Sequence, residues 1–228
     1  MSAVNTLLHE IQTLLAGPGV SYTSASQPWD VYEGYLFSLA TSTASSLGAS
    51  VHYRDVDGNT VNSLVFRTSP GQLYSTTHPY THAVVEFDRA PALEVHLGVQ
   101  VQGNSGVLHE CDVLILPADE AALSRQIRMA PRGNKCLLAI ECKYYTASRV
   151  GIGHARNFEG LHSDLRTARN LFVSNTGASS VVKYLSARKR GYEREVVPAN
   201  VNTVGYTRGQ IREAFKIYLG KTAPSTVI

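Results

Sequence analysis

Two apolar stretches decide the fold, residues 108–116 (LHECDVLIL) and residues 136–145 (CLLAIECKYY). Runs of this length that are rich in Val, Ile and Leu predict β-strands buried in a sheet. Each run is nevertheless interrupted by charged residues, which rarely become fully buried unless they are paired. The charged positions within these strands are therefore the first candidates for a functional site.

The charged side chains on these strands fall into a pattern. With a side-chain period of two, Glu110 and Asp112 share one face of the first strand. Glu141 and Lys143 likewise share one face of the second. An unpaired charge among apolar side chains costs on the order of several kcal/mol, and a divalent cation is one partner that several carboxylates can share. The pattern therefore predicts a metal site.

Length and composition predict a globular protein with an ample core. The chain has 228 residues, of which 43% are hydrophobic and 17% charged. We expect an N-terminal helix and connector at 1–29, and a single domain at 30–228 with its core at about 30–174 and a basic C-terminal extension at 175–228. No apolar run approaches the roughly 18 residues of a membrane span, and no basic residue precedes the first apolar stretch, so we expect a cytoplasmic protein.

The order of periodic segments predicts an α/β fold, with helices flanking a mixed β-sheet. Helices are expected at residues 3–16, 30–47, 153–169 and 207–219. Strands are expected at residues 49–54, 61–67, 82–87, 93–101, 108–116, 136–145, 171–174 and 194–197. Long basic segments are expected at 117–135 and after residue 174.

Charge is distributed unevenly along the chain. Residues 1–112 hold three basic and ten acidic side chains, whereas the remainder holds eighteen basic and eight acidic ones. A basic surface of this kind suits a polyanion, most commonly nucleic acid. The alternative is a set of solvated helix faces neutralised by the acidic half. The candidate phosphate-binding residues are Arg128, Arg132, Arg149, Arg156 and Arg166.

The sequence lacks several other common catalytic motifs. The GxSxG, HExxH and Walker patterns do not occur in the sequence, which argues against a serine hydrolase, a zincin or a nucleotide-binding loop. His78, His82 and His96 have no carboxylate or Cys at zinc spacing around them, and we expect ordinary loop and strand residues there. His109 is expected to point away from Glu110, outside any metal site.

The motif residues resemble those of the PD-(D/E)XK, or restriction-endonuclease-like, nuclease superfamily, whose core order is helix, three strands, helix, strand. The resemblance covers about residues 30–174. It matches Asp112 to the metal-binding aspartate, Glu141 to the acidic residue of (D/E)XK and Lys143 to its lysine, and Glu33 stands where many members have a helical glutamate. The chain departs from the pattern at Cys111, where the motif has Pro, and in the long insertion at 117–135.

The resemblance implies a restriction-endonuclease-like core and roles for these residues. Asp112, Glu141 and the main-chain carbonyl of Cys142 would hold Mg²⁺, for which Mn²⁺ could substitute. Lys143 would orient the attacking water, and Glu33 could help to hold a second ion. Glu110 would be an additional ligand or a neighbour of one. Glu33 has an alternative role, since Asp30-x-x-Glu33 could form a capping box.

The function implied is a Mg²⁺-dependent endonuclease that hydrolyses DNA, for example as a prokaryotic defence or restriction effector. Two alternatives stay open: a non-catalytic nucleic-acid-binding module of the same fold, and a metal-dependent hydrolase acting on RNA. A homodimer or a regulatory protein partner could switch such an enzyme on, and no membrane partner is expected.

Overall fold

A computed structural model describes residues 2–222 of the chain. A mixed seven-stranded sheet is flanked by helices, as the sequence predicted. The helices are α1 (Ala3–Leu15), α2 (Pro28–Ser46), α3 (Ala118–Ile127), α4 (Ile152–Leu165), α5 (Ser179–Ala187) and α6 (Val201–Thr222). The strands are β1 (Gly19–Val20), β2 (Ser50–Asp55), β3 (Ser63–Leu64), β4 (Thr81–Glu86), β5 (Leu93–Gln102), β6 (Leu108–Pro117), β7 (Leu138–Lys143), β8 (Arg169–Ser174) and β9 (Gly191–Glu193).

The sheet has the strand order β2–β4–β5–β6–β7–β8–β9. Neighbours are antiparallel from β2 to β7, whereas β7, β8 and β9 run parallel. Parallel neighbours require long connections, and α4 and α5 supply them. The strands β1 and β3 form a separate two-stranded parallel pair.

Helix α2 is the centre of the larger hydrophobic core. Its side chains are buried around most of its circumference, which is typical of a helix covered by other elements on several sides. The hydroxyl of Tyr32 donates a 2.9 Å hydrogen bond to the carbonyl of Val196. Neighbouring helices cover α2 with apolar side chains, namely Leu7, Ile11 and Leu15 of α1 and Ile211, Ala214 and Phe215 of α6.

Two smaller clusters involve the helices α3, α4 and α5. Leu165 at the end of α4 packs with Ala121 of α3 and with Leu114 of β6. Phe158 of α4 stacks on Phe172 of β8, with ring centroids 5.3 Å apart. Helix α4 is thereby fixed against the strands that carry the candidate site.

The buried face changes part-way along β5. Val95 and Leu97 pack in the cluster around α2, whereas Val99 and Val101 pack with residues of α3 and α4. Gly98 separates the two pairs, and its φ of +62° lies in the left-handed region that favours glycine. A Cβ atom at Gly98 would lie 3.1 Å from the Cβ of Arg67. Both the backbone conformation and the space therefore require glycine here.

Strand β6 changes phase at the same level. The register of β5 and β6 places Asp112 opposite Gly98. Cys111 packs in the same cluster as Leu114, although a strict period of two would place it with Val113. The alternation assumed from the sequence is thus interrupted at the residue that carries the central carboxylate.

Several sequence predictions of secondary structure were wrong. Helices α3 and α5 lie in segments expected to be basic connections. The strand expected at 194–197 does not form, because Glu195 has a left-handed φ of 56°, and β9 lies just before it. Only Ser63–Leu64 of the run 61–67 pairs as a strand. Helix α4 ends at Leu165 rather than at residue 169, because Arg166 adopts a left-handed φ of 52°.

The terminal segments contribute to the same core as the central domain. The N-terminal helix α1, in the segment expected as helix and connector, and the last helix α6, in the expected basic extension, both pack on α2. Residues 223–228 of that extension lie outside the described residues. No helix within residues 2–222 is both long enough and apolar enough to span a bilayer.

Replacing Gly98 by Ala should destabilise the protein by about 1–3 kcal/mol, because the new Cβ meets Arg67 and the left-handed backbone is strained. Gly58→Ala is the matched control, since Gly58 also has a positive φ but no atom lies within 4 Å of the position that its Cβ would take. The control should lose only about 1 kcal/mol. Urea unfolding of both variants measures the difference, and equal losses would show that Gly98 is needed for its φ alone.

Candidate active site

Asp112 lies where β6 and β7 cease to pair through their backbones. The ladder between these strands runs from Ile115↔Leu138 to Val113↔Ile140. Beyond it, the backbone N–H of Cys142 donates a 2.5 Å hydrogen bond to Oδ2 of Asp112. The N–H and carbonyl of one strand residue point to the same side, so the Cys142 carbonyl also faces β6. Asp112 is only 3% exposed, and the bond from Cys142 holds its carboxylate against the neighbouring strand.

Lys143 lies between two carboxylates on these strands. Its Nζ is 2.7 Å from Oε1 of Glu141 and 3.6 Å from Oδ2 of Asp112. All three residues predicted as the motif are therefore brought together. The ammonium group acts as their counter-cation here, and within residues 2–222 no three carboxylates of this cluster bring oxygen atoms within 4.8 Å of one another.

Glu33 reaches the same cluster from α2. It lies inside the helix, half-buried. The capping-box alternative is wrong, because the N-cap residue is Gln27 and Asp30 is itself within the helix. Burial raises the pKa of Glu33 far above its usual range, and the negative charges of Asp112 and Glu110 raise it further.

The remaining pKa shifts show that negative charge is crowded in this cluster. Burial and then the charge of Glu141 raise the pKa of Asp112 to about 7, against the opposing effect of Lys143. Burial and Glu141 also raise the pKa of Glu110. Burial lowers the pKa of Lys143, but Asp112 and Glu141 outweigh it and the pKa lies above its usual value. Additional positive charge would therefore be favourable here.

A cleft of about 500 Å³ opens beside the cluster, between the ends of β6 and β7 and helix α4. Glu110 and Glu141 line it from the sheet, and Arg156 and Asn157 line it from α4. The arrangement places an exposed cation across the cleft from the carboxylates. A bound anion could contact both sides at once.

His109 lines this cleft as well, contrary to the expectation that it faces away. Its Nε2 is 2.7 Å from Oδ2 of Asp164 in α4. Asp164 also accepts hydrogen bonds from the backbone N–H and the hydroxyl of Ser105. A strict period of two would not place the neighbours His109 and Glu110 at one cleft, and the alternation of β6 is interrupted at Asp112.

The connection from β7 to α4 is fastened at both ends. Tyr145 exchanges two 2.8 Å hydrogen bonds with the side chain of Asn175, one through its N–H and one through its carbonyl. The N–H of Val150 donates to Oγ1 of Thr176 at 3.0 Å. Both anchors follow β8, so the loop and the start of α4 are tied to the parallel half of the sheet.

The other predicted phosphate-binding arginines do not line the cleft. Arg149 is exposed in the loop before α4, and Arg166 follows the last residue of that helix. Arg132 forms a two-pronged ion pair with Glu120. The Arg128 guanidinium lies 5.2 Å from the ring centroid of Tyr74. Of the five candidates, Arg156 is the one that the structure places at the acidic cluster.

A second group of potential ligands was not predicted from the sequence. His82, Glu94 and His96 are buried together and bring one ligand atom each within 4.8 Å of the others. The group was missed because its members come from two strands, β4 and β5. The spacing of Glu94 and His96, two residues apart on one strand face, was the available signal.

Comparison with known proteins adds no family assignment. Neither protein-family models, nor curated proteins, nor solved structures give a match to this chain. The chemistry of the site must therefore be inferred from its own geometry.

The raised pKa of Asp112 predicts a pH-dependent stability in EDTA. A carboxyl group whose pKa is raised on folding stabilises the protein below its unfolded pKa, near 4, and that contribution is lost as the pH rises through about 7. Asp112→Asn should therefore gain stability over wild type between pH 4.5 and pH 8, by on the order of 2 kcal/mol. Urea unfolding at several pH values measures this gain.

Asp55→Asn is a control of opposite sign. Burial raises the pKa of Asp55, but hydrogen bonds from Asn59 and the N–H of Asp57 outweigh it, and the pKa is lowered. Its contribution is present above the unfolded pKa and is lost as the pH falls. Asp55→Asn should therefore be less stable than wild type at pH 8. If the free energy of unfolding depended on pH in the same way in wild type and in Asp112→Asn, the raised pKa of Asp112 would be contradicted.

Proposed function

We propose that this protein is a Mg²⁺-dependent nuclease that hydrolyses phosphodiester bonds in DNA. One observation carries the proposal: Asp112, Glu141 and Lys143 meet on adjacent strands, beside a cleft that Arg156 lines from the opposite side. Carboxylates for a metal, an ammonium and a guanidinium around one cleft are the groups that phosphodiester hydrolysis uses.

The topology supports a restriction-endonuclease-like core. With β2, β3, β4 and α3 as additional elements, the elements α2, β5–β6–β7, α4 and β8 follow the order helix, three strands, helix, strand. Asp112 lies on the second of these strands, and Glu141 and Lys143 lie on the third. The insertion between them forms α3, which packs on β5 and β6 away from the cleft. The insertion thus leaves the arrangement of motif residues intact.

The donor set suits Mg²⁺. Carboxylate and carbonyl oxygens are the ligands that this cation prefers, with several water molecules completing its shell. Asp112, Glu141 and the Cys142 carbonyl would hold it, and Glu33 and Glu110 supply further carboxylates nearby. Burial and then the charge of Glu141 raise the pKa of Asp112, and a divalent cation would offset the crowded negative charge. When bound, Mg²⁺ would polarise the phosphoryl oxygen and lower the pKa of a bound water.

The residues of the chain have distinct roles in this proposal. The Cys142 N–H holds the Asp112 carboxylate in place, so one ligand is oriented before any ion arrives. Lys143 leaves its present position between Asp112 and Glu141 and donates a hydrogen bond to the attacking water or to a phosphoryl oxygen. Its positive charge then offsets the charge that develops on the phosphorane.

Arg156 supports nucleic acid as the substrate class. Its exposed guanidinium can contact a backbone phosphate next to the one under attack. A non-catalytic module of the same fold would bind in the same cleft without cleaving, and an RNA hydrolase would use the same residues. A prokaryotic defence role, with activation by a second copy or a regulatory protein, is compatible with the absence of a separate specificity domain within residues 2–222.

Lys143→Ala should lower cleavage by about 100-fold or more while leaving nucleic-acid binding nearly unchanged, because one preorganised electrostatic contact to the transition state is lost. Lys183→Ala, which removes an exposed lysine from α5, should cleave like wild type. The assay compares plasmid, linear and single-stranded DNA and RNA, each with Mg²⁺, Mn²⁺, Ca²⁺ or EDTA.

We expect different results with each metal ion in that assay. Mn²⁺ should replace Mg²⁺, whereas Ca²⁺, with its larger and looser shell, should support binding without efficient hydrolysis. Cleavage that persists in EDTA, or an unaltered rate in Lys143→Ala, would reject the metal-dependent assignment. Binding of DNA without cleavage in every metal would favour the non-catalytic module, and cleavage of RNA alone would change the substrate class.

Arg156→Glu should weaken DNA binding independently of base sequence and flatten its salt dependence, since each lost phosphate contact releases about 0.9 fewer counterions on duplex DNA. Arg212→Glu on α6 is the charge-matched control, because this exposed arginine does not line the cleft. Fluorescence anisotropy across a salt series measures both slopes. If the salt dependence of DNA binding had the same slope in Arg156→Glu and Arg212→Glu, the DNA-binding surface would not include this part of α4.

A further inference from the structure

A second group of metal-ligating side chains lies on β4 and β5, apart from the acidic cluster. The antiparallel register of these strands pairs Ala83 with Val95, which brings His82 opposite His96. Glu94 lies two residues from His96 on the same face of the sheet. All three side chains are buried, with exposures of 5% for His82, 4% for Glu94 and 6% for His96.

Both imidazoles approach one carboxylate oxygen. Nε2 of His96 lies 2.7 Å from Oε2 of Glu94, and Nε2 of His82 lies 3.6 Å from the same atom. The two rings are stacked, with centroids 4.7 Å apart. Two ring nitrogens and one carboxylate oxygen therefore converge on a single buried point.

We propose that His82, Glu94 and His96 form a site for a zinc-class divalent cation. Two imidazole nitrogens and one carboxylate oxygen are a ligand set used by Zn²⁺, and three protein ligands leave one tetrahedral position for water. Mg²⁺ prefers an all-oxygen shell, so this site and the acidic cluster select different metals.

The protonation states are already those that a metal requires. Burial lowers the pKa of both His82 and His96, so each imidazole is neutral at physiological pH. Burial raises the pKa of Glu94, but hydrogen bonds from His96 and Arg125 outweigh it and keep the carboxylate ionised. Loading the site therefore needs only the imidazole tautomers that leave each Nε2 unprotonated.

Arg125 becomes the outer partner of the metal-bound carboxylate. Its Nη2 donates to Oε1 of Glu94 at 2.6 Å, and its Nη1 donates to Oε2 at 3.0 Å. A cation on Oε2 replaces the second contact and leaves the first, which orients the ligand as such outer partners do. The positive charges of Arg54, Arg67 and Arg125 act on the two imidazoles and make the site weaker than one without basic neighbours.

Cobalt titration tests the proposal without reference to nuclease activity. Metal-stripped protein should bind one Co²⁺ with visible absorption bands of a tetrahedral ion, and Zn²⁺ should abolish these bands. Saturating Mg²⁺ should leave them unchanged. His96→Gln and His82→Gln should each lower cobalt affinity at least about tenfold, with circular dichroism checking that the variants are folded.

Two control variants separate this site from others. His52→Gln removes a histidine on β2 that lies beside Glu86 at the protein surface, and it should bind Co²⁺ like wild type. Asp112→Asn should also bind like wild type, so failure of the proposed nuclease function leaves this test intact. Wild-type protein that binds no Co²⁺, or His96→Gln that binds it as tightly as wild type, would overturn the proposal.

Discussion

The hydrogen bond from the Cys142 N–H to the Asp112 carboxylate is the interaction on which the candidate site depends. This bond joins β6 and β7 just beyond the last backbone pair of the two strands, Val113 and Ile140. A side chain thus completes the pairing of two strands that are beginning to separate. The bond keeps β6 close to β7, so that Lys143, which contacts Glu141 on its own strand, also lies 3.6 Å from Oδ2 of Asp112. One acidic residue, Asp112, therefore belongs both to the contact between the strands and to the candidate site.

Bringing several carboxylates together in a buried place is electrostatically unfavourable, and the surrounding structure must hold them there. Several carboxylates share one ammonium, and burial, followed by the charge of neighbouring carboxylates, raises the pKa values of Asp112, Glu33 and Glu110. Such a cluster persists only where the scaffold is rigid. Helix α2, buried around most of its circumference, provides that rigidity and carries Glu33 to a fixed depth.

Sequence patterns predicted the sheet, because buried strands are long apolar runs. They also drew attention to the motif residues, because charged residues are conspicuous where they interrupt such a run. They placed β2, β4, β5 and β6 within one residue at either end. They could not predict the change of phase at Gly98, since a single left-handed residue leaves the pattern of apolar letters almost unaltered. The face predicted for His109 was wrong because the alternation of β6 is interrupted at Asp112, opposite Gly98.

Contacts between distant segments were also beyond local patterns. Helix α3 has no strong apolar stripe, and it is held by packing against β5 and β6 and by ion pairs of Arg125 with Glu94 and of Glu120 with Arg132. The group of His82, Glu94 and His96 depends on strand register, which periodicity does not specify. Glu33 lies near Asp112 and Glu110, whereas its capping alternative, which came from spacing alone, was wrong.

The anchoring of the loop between β7 and α4 by Asn175 and Thr176 has a consequence for substrate choice. Because the loop is hydrogen-bonded at both ends, we expect the distance between the carboxylates and Arg156 to vary little. In the proposed function, a nucleic acid would be recognised first by the spacing of its phosphates and only then by its bases. Strand geometry and stiffness, rather than sequence, would then decide which nucleic acids are accepted.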